Sequence, residues 1–242
     1  IRCHETLTEH TVAETDDIAR AIAHDLGDES LVDELAGLKP SELTSLLLAV
    51  LRKQARKRTW ADVRRQFERD ACAQPSTADA RVLGRVERAF HEAARGFDAV
   101  DVATTAPLGL CALTGIDQNL VLSAVRALEV VADPTASLAL EIARRRKRAG
   151  CDVHLAATAR VLRLQPIPAG VPHFSRHFRL HCLTSGGRDR GGGASFVDDA
   201  FVAHALVWVE LVRALGATDV RVRVSSSSGA GSIAIRDAIE AK

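Results

Sequence analysis

A mixed α/β (α+β) fold is what this sequence predicts, on three observations. Residues 11–95 place apolar side chains at helical spacing. Ala159–Gln165 and Arg176–Thr184 alternate like strands on either side of a loop carrying Pro166, Pro168 and Pro172. After a Gly-rich loop, Val197–Leu215 reads as a long apolar helix, and Gly216 leads into a strand at Asp219–Val224.

The elements follow in order. Pro40-Ser41-Glu42 opens a helix whose Leu43, Leu46, Leu47, Val50 and Leu51 are spaced for one buried face. Thr59 caps the next helix, with Asp62 completing a short capping box and Trp60, Val63 and Phe67 at i, i+3 and i+7. Gln74–Thr77 is the clearest boundary. It separates a helical appendage over 1–76 from a core over 77–242. Val82, Val86, Ala89, Phe90 and Ala93 then mark an amphipathic helix that Gly96 ends, and Asp98–Ala103 alternates like a strand reaching Pro107. Asp133 caps a further helix, with Pro134 in the first position, where its missing N–H would be unpaired anyway. Leu138, Ile142 and their alanine neighbours carry that helix to Gly150.

Strand alternation puts Val161, Arg163 and Gln165 on one face. A hairpin return sets Phe178 and Leu180 on one face and His177, Arg179 and His181 on the other. An arginine, an amide and an aromatic ring on paired strands suit a flat anionic ligand such as a nucleotide. An ordinary amphipathic hairpin with solvated arginines accounts for the same pattern.

Composition narrows the classes. The chain has 242 residues, 47% hydrophobic and 26% charged, which excludes wholesale disorder. Its 32 basic residues against 31 acidic ones make no global case for nucleic acid or membrane. Five spaced cysteines without a Cys-x-x-Cys pair favour reduced thiols and a cytoplasmic protein. No signal peptide is visible, and charges interrupt the apolar runs, so no transmembrane helix is expected. Methionine is absent, even at the first position, which fits either a trimmed sequence or one that has lost its methionines. No metal site is expected, because His177 and His181 on one strand face stand about 13 Å apart. The loop Gly186–Gly191 reads as a flexible surface loop rather than a phosphate cradle. The basic runs Arg52–Arg58 and Arg144–Arg148 read as solvated helix faces, with an RNA contact as the sharper alternative.

Arg163-Leu164-Gln165, the loop, and His177-Phe178 together resemble motif 2 of class II aminoacyl-tRNA synthetases. The helix, strand and proline of Ala78–Pro107 are similar to motif 1, which builds the dimer interface in that family. Val197–Val224 resembles the histidyl-tRNA synthetase branch, which also holds the ATP phosphoribosyltransferase regulatory subunit. The resemblance spans residues 78–236. It implies an antiparallel sheet flanked by helices, a homodimer, and ATP as cofactor with Mg accompanying it. It assigns Arg163 the catalytic role and the α-phosphate, Phe178 the adenine and Gln165 its edge, with Arg236 also on the nucleotide. Glu129, Asp133, Thr135 and Thr184 would bind the substrate. Several positions depart from the pattern: Gln165 replaces Glu, Leu180 replaces Gln, Thr184 replaces Glu, and Ile233 and Ile235 stand where motif 3 has Gly and Glu. The function implied is binding of an adenylate-type or amino-acid-like ligand, with ATP-dependent ligase activation. The alternative is a catalytically inactive paralogue acting as a regulatory or assembly subunit. A tRNA contact is not favoured, and no membrane partner is expected.

Overall fold

The computed structural model describes residues 5–164, 175–189 and 195–223, with side chains from residue 15 onward. The helices are α1 (Glu5–Asp25), α2 (Leu31–Ala36), α3 (Pro40–Ala55), α4 (Trp60–Arg69), α5 (Ala80–Ala93), α6 (Leu110–Leu113), α7 (Pro134–Ala149) and α8 (Phe196–Ala214). The strands are β1 (Asp98–Ala99), β2 (Thr105–Pro107), β3 (Ser123–Ala124), β4 (Leu128–Val130), β5 (Val153–Leu162) and β6 (His177–Gly186). The fold is mixed α/β. It groups into two compact units, one of residues 1–75, 104–132 and 162–177, the other of 76–103, 133–161 and 178–242. Among the described residues no helix is long and apolar enough to cross a membrane.

The second unit is built on a sheet of order β1-β5-β6. β1 runs parallel to β5, with Asp98 opposite Leu155 and Ala99 opposite Ala156. Thr158 meets His181 and His154 meets Ser185, so partners step in opposite directions and β5 and β6 are antiparallel. Alternation along both strands divides the sheet into two faces. Val153, Leu155, Ala157 and Cys182 pack against Leu138 and Ile142 of α7. On the other face Ala156 and Leu183 pack against Phe90 and Ala93 of α5 and Val207 and Leu211 of α8. Asp133 caps α7 by accepting from Thr135 N at 2.9 Å, and Gly150 ends it in the left-handed region at φ 67°.

The first unit holds α1–α4 and a second antiparallel sheet of order β2-β4-β3. Its small core joins Cys111, Val121 and Ala132, with Ile116 packed against them. The Thr59–Asp62 capping box forms as the residues predict, with Asp62 N donating to Thr59 Oγ1 and Thr59 N to Asp62 Oδ2.

Four sequence expectations need correction. The apolar stripe of α3 is not a buried face: Leu46, Leu47, Val50 and Leu51 are exposed, and no residue of α3 is buried. The alternating stretch 98–107 is not one strand. Its ladder stops after Val100 N donates to Ala156 O, and β2 belongs to the other sheet, although Val100 and Val102 do turn to the α7-side core. The strand expected at Ala159–Gln165 is β5, which begins earlier, at Val153, and ends at Leu162, leaving Arg163 past the strand. Residues 219–223 form no strand, since Val220 is only half-buried and Val222 exposed, which leaves no apolar face to hold against a sheet.

Two glycines test this packing in opposite directions. A methyl on Gly187 would stand 2.3 Å from the Phe196 ring and 2.6 Å from Asp152 Oδ1, whereas one on Gly84, inside α5, meets open space. Gly187→Ala should lower the unfolding free energy by about 1–3 kcal/mol in urea titrations. Gly84→Ala should raise it by about 0.5–1 kcal/mol. Equal effects at the two positions would contradict the packing of Phe196 against Gly187.

Candidate functional site

In the second unit, α7 and β6 bring three of the predicted substrate residues together. Asp133 closes the first turn of α7 through its bond to Thr135 N. Thr135 Oγ1 lies 3.4 Å from the buried Sγ of Cys182, and the same sulfur lies 3.6 Å from Thr184 Oγ1. A thiol is a weak donor and acceptor, so both threonine hydroxyls keep most of their hydrogen-bonding capacity for another group. Alternation places Phe178 on the β6 face of Cys182 and Thr184, where its ring is half-buried. Sequence reading gave Cys182 no part in this site, although it shares a strand face with Phe178 and Thr184.

The first unit holds Glu129 and Arg163. Arg163 Nε donates to Ala132 O at 2.9 Å, which fixes the plane of the half-buried guanidinium, and Arg163 N donates to Arg176 O. Glu129 is fully buried at 0% exposure. Its Oε1 accepts from Cys111 N at 2.7 Å, and its Oε2 from Gly109 N at 2.9 Å and Gln118 Nε2 at 3.3 Å. Burial pushes its pKa up, but the hydrogen bonds from Cys111, Gly109 and Gln118 outweigh it and hold the carboxyl below its ordinary value. Gly109 takes φ 91°, a left-handed turn suited to glycine, and so aims its N–H at that carboxylate. The structure therefore places Glu129 as the anchor of the 109–118 loop. Gln165 and Arg236 lie outside the described residues.

The face of the sheet under α5 and α8 carries two polar chains that sequence reading missed. Ser185 Oγ lies 2.8 Å from both His154 Nδ1 and His204 Nε2. Thr158 Oγ1 lies 2.9 Å from His181 Nδ1 and 3.3 Å from His91 Nε2. Phe97 flanks the first pair and Phe90 the second. A hydroxyl has one proton to give, so in each chain one imidazole accepts and the other donates, which suits neutral rings. The signal was in the spacing: His154 with Thr158, and His181 with Ser185, share strand faces at i, i+4. His177 stands apart, its Nε2 lying 2.6 Å from Gln74 O.

From the Arg144–Arg148 run, Arg144, Arg145 and Arg148 line a cleft of about 410 Å³ with Asp98, Asp152 and His154. Arg144 and Arg145 both bind Glu141, and their hydrogen bonds drive its pKa down to about 2. Arg145 also reaches Asp98 at 2.8 Å.

No family model matches the sequence. No curated protein matches it either. Solved structures to which the chain is similar include histidyl-tRNA synthetase from a Nostoc species, at 18% identity over 60% of this chain and 35% of that one, with a TM-score of 0.45. Pyrrolysyl-tRNA synthetase from Desulfitobacterium hafniense is 14% identical over 67% of this chain and 55% of that one, at a TM-score of 0.48. An ATP phosphoribosyltransferase regulatory subunit/histidyl-tRNA synthetase from Bacillus halodurans is 15% identical over 60% and 38%, at 0.46. The chain thus spans between 35% and 55% of the length of these structures. Two of the three carry names that the sequence resemblance had given.

The histidines set a pH dependence. Burial pushes His204 below its ordinary 6.5, and neighbouring His154 adds to this. His181 is lowered by burial first, with His91 and Arg179 lowering and Glu87 raising it. The unfolded chain then binds more protons just below pH 6.5, so this stability is full above 6.5 and lost as pH falls. Urea midpoints should drop between pH 7 and about 5, and His181→Gln with His204→Gln should flatten that drop. An unaltered slope in the double variant would contradict the assignment.

Proposed function

We propose that the chain is a class II synthetase-like protein that binds an adenylate-type or amino-acid-like small ligand, with ATP-dependent activation as its reaction. The observation that carries the reading is the meeting of Thr135 and Thr184 on Cys182 beside the Asp133 cap. Two hydroxyls and a carboxylate at one helix start suit the ammonium and polar groups of an amino-acid-like ligand. The loss of Glu at position 184 makes a cationic side chain on that ligand a poor match.

In this reading Arg163 holds the α-phosphate and stabilises charge on the transferring group, because a guanidinium of fixed plane binds phosphate oxygens in pairs. Phe178 stacks the adenine, with Gln165 on its edge and Arg236 on the phosphates. ATP would supply the adenylyl group, a carboxylate of the ligand forming a bond to the α-phosphorus as the bond to the β-phosphate breaks and pyrophosphate leaves. Magnesium would accompany the ATP, held by phosphate oxygens and water. A homodimer built on Ala78–Pro107 belongs to the same reading. No tRNA contact is assigned to the Arg144–Arg148 run, whose Arg144 and Arg145 are taken up by Glu141 and Asp98. The changed motif 3 residues, Ile233 and Ile235, favour the second reading, an inactive paralogue that regulates or assembles with a partner enzyme.

A thermal-shift series with ATP, AMP and the amino acids tests the binding, and pyrophosphate exchange separates the two readings. Arg163→Ala should abolish nucleotide-induced stabilisation and keep the fold. Thr184→Val should weaken the amino-acid-like ligand by about 1–2 kcal/mol, the cost of a lost hydrogen bond at a partly buried site. Nucleotide binding unchanged in Arg163→Ala would defeat the assignment, and binding without exchange would favour the regulatory subunit.

A further inference from the structure

The whole chain carries a net charge of +1, but its N-terminal helices are strongly polarised along the sequence. Between Asp16 and Glu42 stand eight carboxylates and two basic residues. Between Arg52 and Arg69 the balance inverts, to eight basic residues and two carboxylates. Nearly all of these side chains are exposed. Among the described residues no ion pair joins the two stretches. The pairs within them are local, Arg20 with Asp17, His24 with Glu29, Arg64 with Glu68 and Arg65 with Asp62. Lys53, Arg56, Lys57 and Arg69 have no carboxylate partner among the described residues.

The same helices leave large apolar side chains in water. Ile18 and Ile22 of α1, Leu46 and Val50 of α3, and Phe67 of α4 are exposed, and Trp60 is 87% exposed. Neither α2, α3 nor α4 contains a buried residue. Apolar faces on this scale are left open where another surface covers them. The charge pattern says what that surface is. A partner of one sign would satisfy one stretch and repel the other. A second copy of this chain satisfies both when the acidic stretch of each faces the basic stretch of the other, the arrangement a two-fold axis produces.

We propose that residues 16–69 form a self-complementary interface through which two copies of this chain pair. The α1–α2 stretch of each copy lies against the α3–α4 stretch of its partner. The apolar side chains supply the affinity. The charges set the orientation and exclude the parallel arrangement, in which like charges would meet. This pairing is independent of any contact made by Ala78–Pro107.

The test uses the full chain and two reversals. One carries Asp25→Lys, Glu29→Lys and Asp33→Lys, which takes the acidic stretch from a net charge of −6 to 0. The other carries Arg56→Glu, Lys57→Glu and Arg69→Glu, which takes the basic stretch from +6 to 0. Sedimentation equilibrium measures association of each alone, of the two mixed, and of the parent at about 50 mM and 1 M salt, conditions of long and short screening length. The parent should associate beyond the 26.0 kDa chain and more weakly at high salt. Each reversal alone should associate about tenfold more weakly or worse, because the charge complementarity is lost at both of the two-fold-related contacts. The mixture should associate more tightly than either reversal alone, because the two unaltered stretches then face each other and the introduced lysines face the introduced glutamates. Far-UV circular dichroism confirms that helix content is kept. A parent that stays monomeric, or associates identically in both salts, overturns the proposal. So do reversals that associate like the parent, or folded reversals whose mixture associates no more tightly than either alone.

Discussion

β5 is buried on both faces, and the second unit depends on that. Leu155 and Ala157 lie beneath α7, Ala156 beneath α5 and α8, and Val161 closes the run near the strand's end. The alanines matter as much as the leucine, because small side chains let two helical layers approach one strand closely without a void. A larger residue at Ala156 or Ala157 would push a helix away and loosen the neighbouring polar contacts. The Thr135–Cys182–Thr184 contacts and the two hydroxyl-bridged histidine chains hang on opposite faces of the same β5–β6 pair. Their geometry is inherited from the strand register.

The polar groups inside the two units solve one problem in different ways. Glu129 keeps a charge in a buried place by filling both oxygens with donors, which is the condition for a buried carboxylate not to cost several kcal/mol, roughly. Burial pushes His181 and His204 toward the neutral form, with Thr158 and Ser185 beside their nitrogens. Glu141 sits near the surface and is held ionised by two arginines. The first is rigid, the second responds to acid, and the third is exposed to salt.

Local chemistry was legible in the sequence and long-range chemistry was not. The caps at Thr59 and Asp133 were readable because a side chain bonding a backbone two or three residues on leaves its whole signature in one short stretch. The start of β5 was hidden. Val153-His154-Leu155-Ala156-Ala157 is apolar toward both layers, so the alternation that marks a half-buried strand is missing there. The α3 stripe read as core because spacing reports that a face is apolar, not what covers it. Within the candidate site, Asp133, Thr135 and Thr184 were named from the resemblance. Cys182, which touches both threonines, was not, because its role arises only when α7 meets β6. Glu129 was named beside them, and its donors come from residues 109–118, a loop whose folding no local pattern announces.

Neither unit is a continuous stretch of chain. The first takes residues 1–75, 104–132 and 162–177, and His177 at its far end bonds the carbonyl of Gln74. A ribosome releasing this chain from its N-terminus therefore delivers α1–α4 long before their last partners exist. The helices can wind as they emerge, since each closes its own hydrogen bonds, but the unit they belong to must wait for residue 177. Completing the unit does not cover the apolar stripe of α3 or the ring of Trp60, which stay exposed. The delay between making these helices and closing their unit is set by topology rather than by stability.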